Sequence, residues 1–226
     1  MNIGIAIGKF QPYHKGHQMY LSNMLKDCDM LFVIVFGKTV KKQMPKDIIV
    51  NQIQESLNEK AIVISSEEAG IQGGHIPTAI LNITNLYFNG NLNQDTIIVF
   101  GGADRLQEYQ TQLSSIKETT FDMQDVTNLE DFKQLINCED IQVKSPTGKN
   151  EILLSQKEQQ LINKLNIKIN TGSEGRVSGS LVRGLVSVSE DKLLQNEKYL
   201  LALFDKCVPT NGRIVETYML YRKYYE

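Results

Sequence analysis

The order of residues predicts an α/β fold built on a parallel β-sheet. Short apolar runs bounded by glycine recur without the alternation of a half-exposed strand, as expected of strands buried on both faces. Between them the apolar residues return at helical spacing. Over residues 1–105 the resulting order is strand, helix, strand, helix, strand, helix, strand, the pattern of βαβ units with right-handed crossovers.

The first strand is the run IGIAI at 3–7. From Lys15 to Lys26, Tyr20, Leu21, Met24 and Leu25 recur as on one helix face. Met30 to Phe36 (MLFVIVF) reads as a buried strand ended by Gly37, and Asp47 to Asn58 as a helix carrying Ile49, Ile53 and Leu57. AIVIS at 61–65 is the third strand. Pro77 to Phe88 is a helix whose proline suits a first turn, and TIIVF at 96–100 is the fourth strand, ended by Gly101 and Gly102.

Beyond Leu106 the pattern weakens. Residues 107–140 are polar, with periodicity only around Leu129, Phe132, Leu135 and Ile136. Candidate strands at 141–144 and 167–170 flank a helix at 156–165. Helices are expected at Ser180–Val186, Lys192–Phe204 and Ile214–Tyr225, the last rich in tyrosine. No repeat or Pro/Ser linker divides the chain, so residues 1–226 read as one domain with an irregular insertion at about 107–170.

Net charge is −2, so the whole-chain field favours neither nucleic acid nor an anionic membrane, and the lysines are not interleaved with aromatics. No apolar segment reaches the roughly 18 to 20 residues that span a bilayer. The N-terminus lacks a basic segment ahead of a long apolar one, so no signal peptide is expected. Cys28, Cys138 and Cys207 are odd in number, without CxxC spacing, which points to free thiols in a reducing cytoplasm. No third ligand lies near His14 and His17 in sequence, so no protein metal site is expected there.

The chemistry concentrates in GKFQPYHKGH, Gly8 to His17, at the exit of the first strand. In open parallel sheets this turn is the usual phosphate site. Gly8 lets the backbone turn, Pro12 stiffens it, and Gly16 lies where free N–H groups at a helix start attract anions. A spacing of three puts His14 and His17 on one helix face. Neither GxxxxGK[ST] nor GxGxxG is present, so this is a different phosphate device. Far along the chain, VSGSLVR at 177–183 places Ser178 and Ser180 at a helix start, with Arg183 a turn further on. GGADR at 101–105 puts Asp104 after the fourth strand. Lys38, Lys41, Lys42 and Lys46 follow the second strand. Lys42 is a weaker candidate for the triphosphate, and His75 in GIQGGHIP for the second substrate.

These segments resemble the HxGH nucleotidylyltransferase superfamily, and Gly8–His17 looks most like the signature of nicotinamide mononucleotide (NMN) adenylyltransferases. The resemblance implies a Rossmann-like doubly wound parallel sheet with C-terminal helices. It also implies transfer of AMP from ATP to NMN, yielding NAD and pyrophosphate, with Mg²⁺ entering with ATP. On that likeness His14, His17, Lys9 and Arg183 carry catalysis. Gly8, Phe10, Gln11, Gly16, Gly101, Asp104, Ser178 and Ser180 hold the nucleotide, with Asp104 on a ribose. Lys9 stands where the family usually has arginine, which keeps the charge but loses the bidentate fork. Alternatives are another acceptor, CTP as donor, or a non-catalytic nucleotide sensor. Residues 107–170 carry none of the resemblance and read as a lid, a contact within a homo-oligomer or an altered acceptor pocket.

Overall fold

The computed structural model of the chain describes residues 1–37, 43–57, 59–116, 126–148, 151–167 and 175–226. Strands β1 (Asn2–Gly8), β2 (Met30–Val35), β3 (Ala61–Ser65), β4 (Thr96–Phe100) and β5 (Asp140–Lys144) form one all-parallel sheet in the order β3-β2-β1-β4-β5. All five carboxyl ends therefore lie along one edge. Strand order reverses between β1 and β4, and beyond such a reversal open α/β sheets bind ligands.

Both faces of this sheet are buried, which is why its strands show no alternation. On one face Ile3, Ile5, Phe32, Ile34, Ile97 and Val99 join a core with Ile76, Ile80 and Ile83 of α3 (Ile76–Phe88) and Tyr109 and Leu113 of α4 (Ala103–Ser114). Leu31, Val33, Val35, Ile98 and Phe100 are buried as well.

The polar stretch beyond Leu106 is more regular than its composition suggests. Helix α4 continues to Ser114, α5 spans Leu129–Leu135, and β5 pairs with β4 from Thr96↔Asp140 to Phe100↔Lys144. As the last strand of the sheet, β5 buries Ile141 but exposes Gln142, so it lacks the apolar run of its neighbours. The expected strand at 167–170 falls almost wholly outside the described residues.

The chain resolves into two compact units built from interleaved segments. The first comprises Met1–Lys9, Leu21–Gly37 and Leu57–Gly148, and the second Phe10–Tyr20, Lys38–Ser56 and Lys149–Glu226. Interleaving leaves no linker of distinct composition to be seen in the sequence. The sheet belongs to the first unit. The second contains α2 (Lys46–Ser56), α6 (Gln156–Lys164), α7 (Gly179–Val186), α8 (Glu190–Cys207) and α9 (Ile214–Tyr225). Leu181, Val182 and Leu185 of α7, Leu200, Leu203 and Phe204 of α8, and Tyr218, Tyr221 and Tyr225 of α9 are buried there. Phe204 meets the rings of Tyr218 and Tyr221 edge-on at 5.2 and 5.4 Å.

Cys28, Cys138 and Cys207 are all free and buried. Among the described residues no helix is long and apolar enough to cross a membrane.

Candidate functional site

Helix α1 (Lys15–Met24) starts inside the signature, with His14 just before it. The Nδ1 atom of His14 accepts the backbone N–H of His17 at 3.3 Å, a side-chain cap on the helix start. The ring proton of neutral His14 is thereby assigned to Nε2, leaving one N–H to donate to a ligand. The two imidazoles stack at 3.8 Å and 19°. Phe10 meets His17 edge-on at 5.4 Å, and Tyr13 lies parallel to it at 6.1 Å. Phe10 has φ +48, a left-handed backbone uncommon for an aromatic residue.

Burial pushes the His17 imidazole down to about 4. His14 is pushed to about 2 by burial first, then by His17 and the Arg183 guanidinium. Both rings are therefore neutral at pH 7. They are N–H donors rather than cations. His17 Nδ1 is buried and has no hydrogen-bond partner among the described residues.

The glycine of the signature follows from this packing. A Cβ at Gly16 would sit 2.9 Å from Cε1 and Nδ1 of His14 and 3.5 Å from the Val177 carbonyl oxygen. Val177 opens the distant serine-rich segment, so the second unit brings the two motifs together. Gly179, the first residue of α7, is closely approached: its Cβ would lie 3.1 Å from Pro12 Cδ and 3.5 Å from the Gln11 carbonyl oxygen. Arg183 Nη1 donates to the Gln11 carbonyl at 3.3 Å, across 172 residues of sequence. Ser178 caps α7, its hydroxyl oxygen accepting the Leu181 N–H at 3.3 Å. Its own hydroxyl proton remains a potential donor, and Ser180 is the second helical residue.

Gln11 is expected from the resemblance to contact the nucleotide, yet its amide holds protein. Nε2 donates to the Met44 carbonyl at 2.6 Å. Oε1 accepts the Met44 N–H at 3.2 Å and the Tyr225 hydroxyl at 2.5 Å. Tyr221 donates to the Tyr13 carbonyl at 2.7 Å, with Gln52 Oε1 at 3.1 Å. No motif in the sequence marks these tyrosines. Their only signal is the spacing of Tyr218, Tyr221 and Tyr225, which puts three phenols on one helix face.

Lys9, Gly8, Gly101, Asp104 and His75 belong to the first unit. The Gly8 carbonyl accepts the Phe36 N–H at 3.0 Å, and exposed Lys9 places Nζ 5.9 Å from the centre of the Phe36 ring. Gly101 is closely packed, since a Cβ there would meet Tyr109 at 2.9 Å. Gly102 is the cap residue of α4. Asp104 lies in the first turn with its carboxylate 81% exposed. His75 caps α3, its Nδ1 lying 3.4 Å from the Thr78 N–H and 2.8 Å from the Thr78 hydroxyl. Lys42 lies outside the described residues.

Compared with protein-family models and with curated proteins, the chain matches none.

Proposed function

We propose that the protein is a nucleotidylyltransferase that moves AMP from ATP to the phosphate of NMN, forming NAD and pyrophosphate in the cytoplasm on a Rossmann-like doubly wound framework. One observation carries this reading. Inside a single unit, Gly179 and Arg183 of α7 meet Gln11 and Pro12, and Val177 approaches Gly16, so the two segments proposed to bind phosphate converge.

In the proposed reaction a phosphate oxygen of NMN attacks the α-phosphorus of ATP. The bond to the bridging oxygen breaks, and pyrophosphate leaves with the electron pair. A phosphomonoester has its second pKa near roughly 6, so the attacking group is already dianionic and needs no general base. Neutral buried histidines suit this chemistry, since they donate hydrogen bonds to developing charge without removing a proton. His14 Nε2–H and the His17 ring would serve the triphosphate. Within the second unit the Arg183 guanidinium would balance its charge and the hydroxyls of Ser178 and Ser180 would donate to it, while the family resemblance assigns Lys9 to phosphate and Asp104 to a ribose. Mg²⁺ bound with the nucleotide would neutralise phosphate oxygens. Among the described residues no group of three His, Cys, Asp or Glu side chains forms a metal cage.

The test follows pyrophosphate from Mg²⁺-ATP or CTP with a panel of phosphomonoesters including NMN, in the wild type and in His17→Ala. NAD from NMN, lost by orders of magnitude in the folded variant, is the expected result. Undiminished turnover in His17→Ala refutes the site. Pyrophosphate with another acceptor redirects the substrate, and nucleotide binding without turnover favours a sensor.

A further inference from the structure

We propose that Tyr225 and Tyr221 of α9 are positioning residues that hold the histidine pair of the signature in register by fastening the Gln11–Tyr13 backbone and the Gln11 amide. This deepens the nucleotidylyltransferase reading and rests on it for its consequence in nucleotide binding.

The loop before His14 is short and is held at both ends. Arg183 grips the Gln11 carbonyl from α7. Tyr221 grips the Tyr13 carbonyl, the peptide group that leads directly into His14. Tyr225 donates to Gln11 Oε1, which also takes the Met44 N–H, so both acceptor positions of that oxygen are filled. The phenol of Tyr13 is itself anchored on Ser56 Oγ at 2.6 Å, and its ring lies parallel to His17. Each stacked imidazole is thus reached from α9 through one residue: His14 through the Tyr13 carbonyl, and His17 through the Tyr13 ring.

These phenols are buried, and burial raises the pKa of Tyr225 to about 12 and that of Tyr221 well above the ordinary range. Both remain protonated donors at any pH at which the protein works. Their acceptors are protein groups, not solvent: Gln11 Oε1 for Tyr225, and for Tyr221 the Tyr13 carbonyl at 2.7 Å, with Gln52 Oε1 further off at 3.1 Å. Small displacements of a loop carrying donors to a phosphate are costly to turnover, about a hundredfold per ångström.

Tyr218 supplies the control. It lies on the same helix and is equally buried, but its hydroxyl donates to the Leu185 carbonyl at 3.1 Å. Removing that hydroxyl removes a buried hydrogen bond from α9 without touching the loop. The experiment compares Tyr225→Phe, Tyr221→Phe and Tyr218→Phe in the full chain. The ring nitrogen and proton resonances of His14 and His17 are recorded without ligand, and ATP affinity is measured by calorimetry.

The expected result is displaced histidine resonances in Tyr225→Phe and Tyr221→Phe, with ATP binding weakened about tenfold. Tyr218→Phe should leave both unchanged while losing comparable thermal stability. Wild-type histidine resonances in the first two variants would overturn the inference, as would equal displacement in Tyr218→Phe. Should the wild type itself fail to bind ATP, the nucleotidylyltransferase reading falls, and the resonances still decide whether the tyrosines position the histidines.

Discussion

Alanine at Gly16 would place a methyl carbon 2.9 Å from two atoms of the His14 ring. Ordinary carbon contacts lie at about 3.5–4.0 Å, so the ring must retreat by roughly 0.6 Å or more. It has little room, because it stacks on His17 at 3.8 Å and accepts the His17 N–H at 3.3 Å. Overpacking of this kind costs about 1–3 kcal/mol. Alanine regains up to about 1 kcal/mol through its better helix propensity, leaving a net loss of about 1 kcal/mol. With a urea dependence of about 2 kcal/mol per molar, the unfolding midpoint should fall by about 0.5 M. Gly74 is the control, since a Cβ there meets nothing within 4 Å. Turnover should fall more than stability, by about tenfold or more, since the displaced ring is a proposed donor to the nucleotide. A Gly16→Ala protein as stable and as active as Gly74→Ala would refute this account of the glycine.

Buried neutral histidines also make the fold sensitive to acid. The unfolded imidazoles titrate near 6.5, above about 4 for His17 and about 2 for His14 in the fold. The unfolded chain therefore binds more protons below that pH, so the contribution is complete above about 6.5 and is lost as pH falls through the folded values. At pH 5 the loss is about 2 kcal/mol per histidine, read as a lower urea midpoint. The double variant His14→Asn/His17→Asn should lose that acid sensitivity, and an unchanged pH slope would count against burial as its cause. Asp104→Asn removes an exposed carboxylate and should leave the unfolding free energy within about 0.5 kcal/mol of wild type. The KM for ATP should nevertheless rise about tenfold, and an unchanged KM would remove Asp104 from the proposed ribose contact.

Features that depend on neighbours along the chain are legible in the sequence alone. The IGIAI and TIIVF strands, the helix at Ile214–Tyr225 and the clustering of GKFQPYHKGH at the end of β1 all follow from local period and turn chemistry. Strand β5 is only a candidate at that level, because an edge strand buries too little to carry an apolar run. What tertiary structure alone decides is environmental. Neutrality of His14 and His17 comes from desolvation by packed neighbours, which a spacing of three cannot reveal. Gln11 reads as a ligand contact in the signature, but Met44 and Tyr225, the latter 214 residues away, fill its amide oxygen. Gly16 likewise reads in the sequence as a place where a helix start attracts an anion, whereas in the fold its missing Cβ makes space for the His14 ring. Sequence specifies which groups are available, but which of them a ligand can reach is set by burial and by long-range hydrogen bonds that exist only after folding.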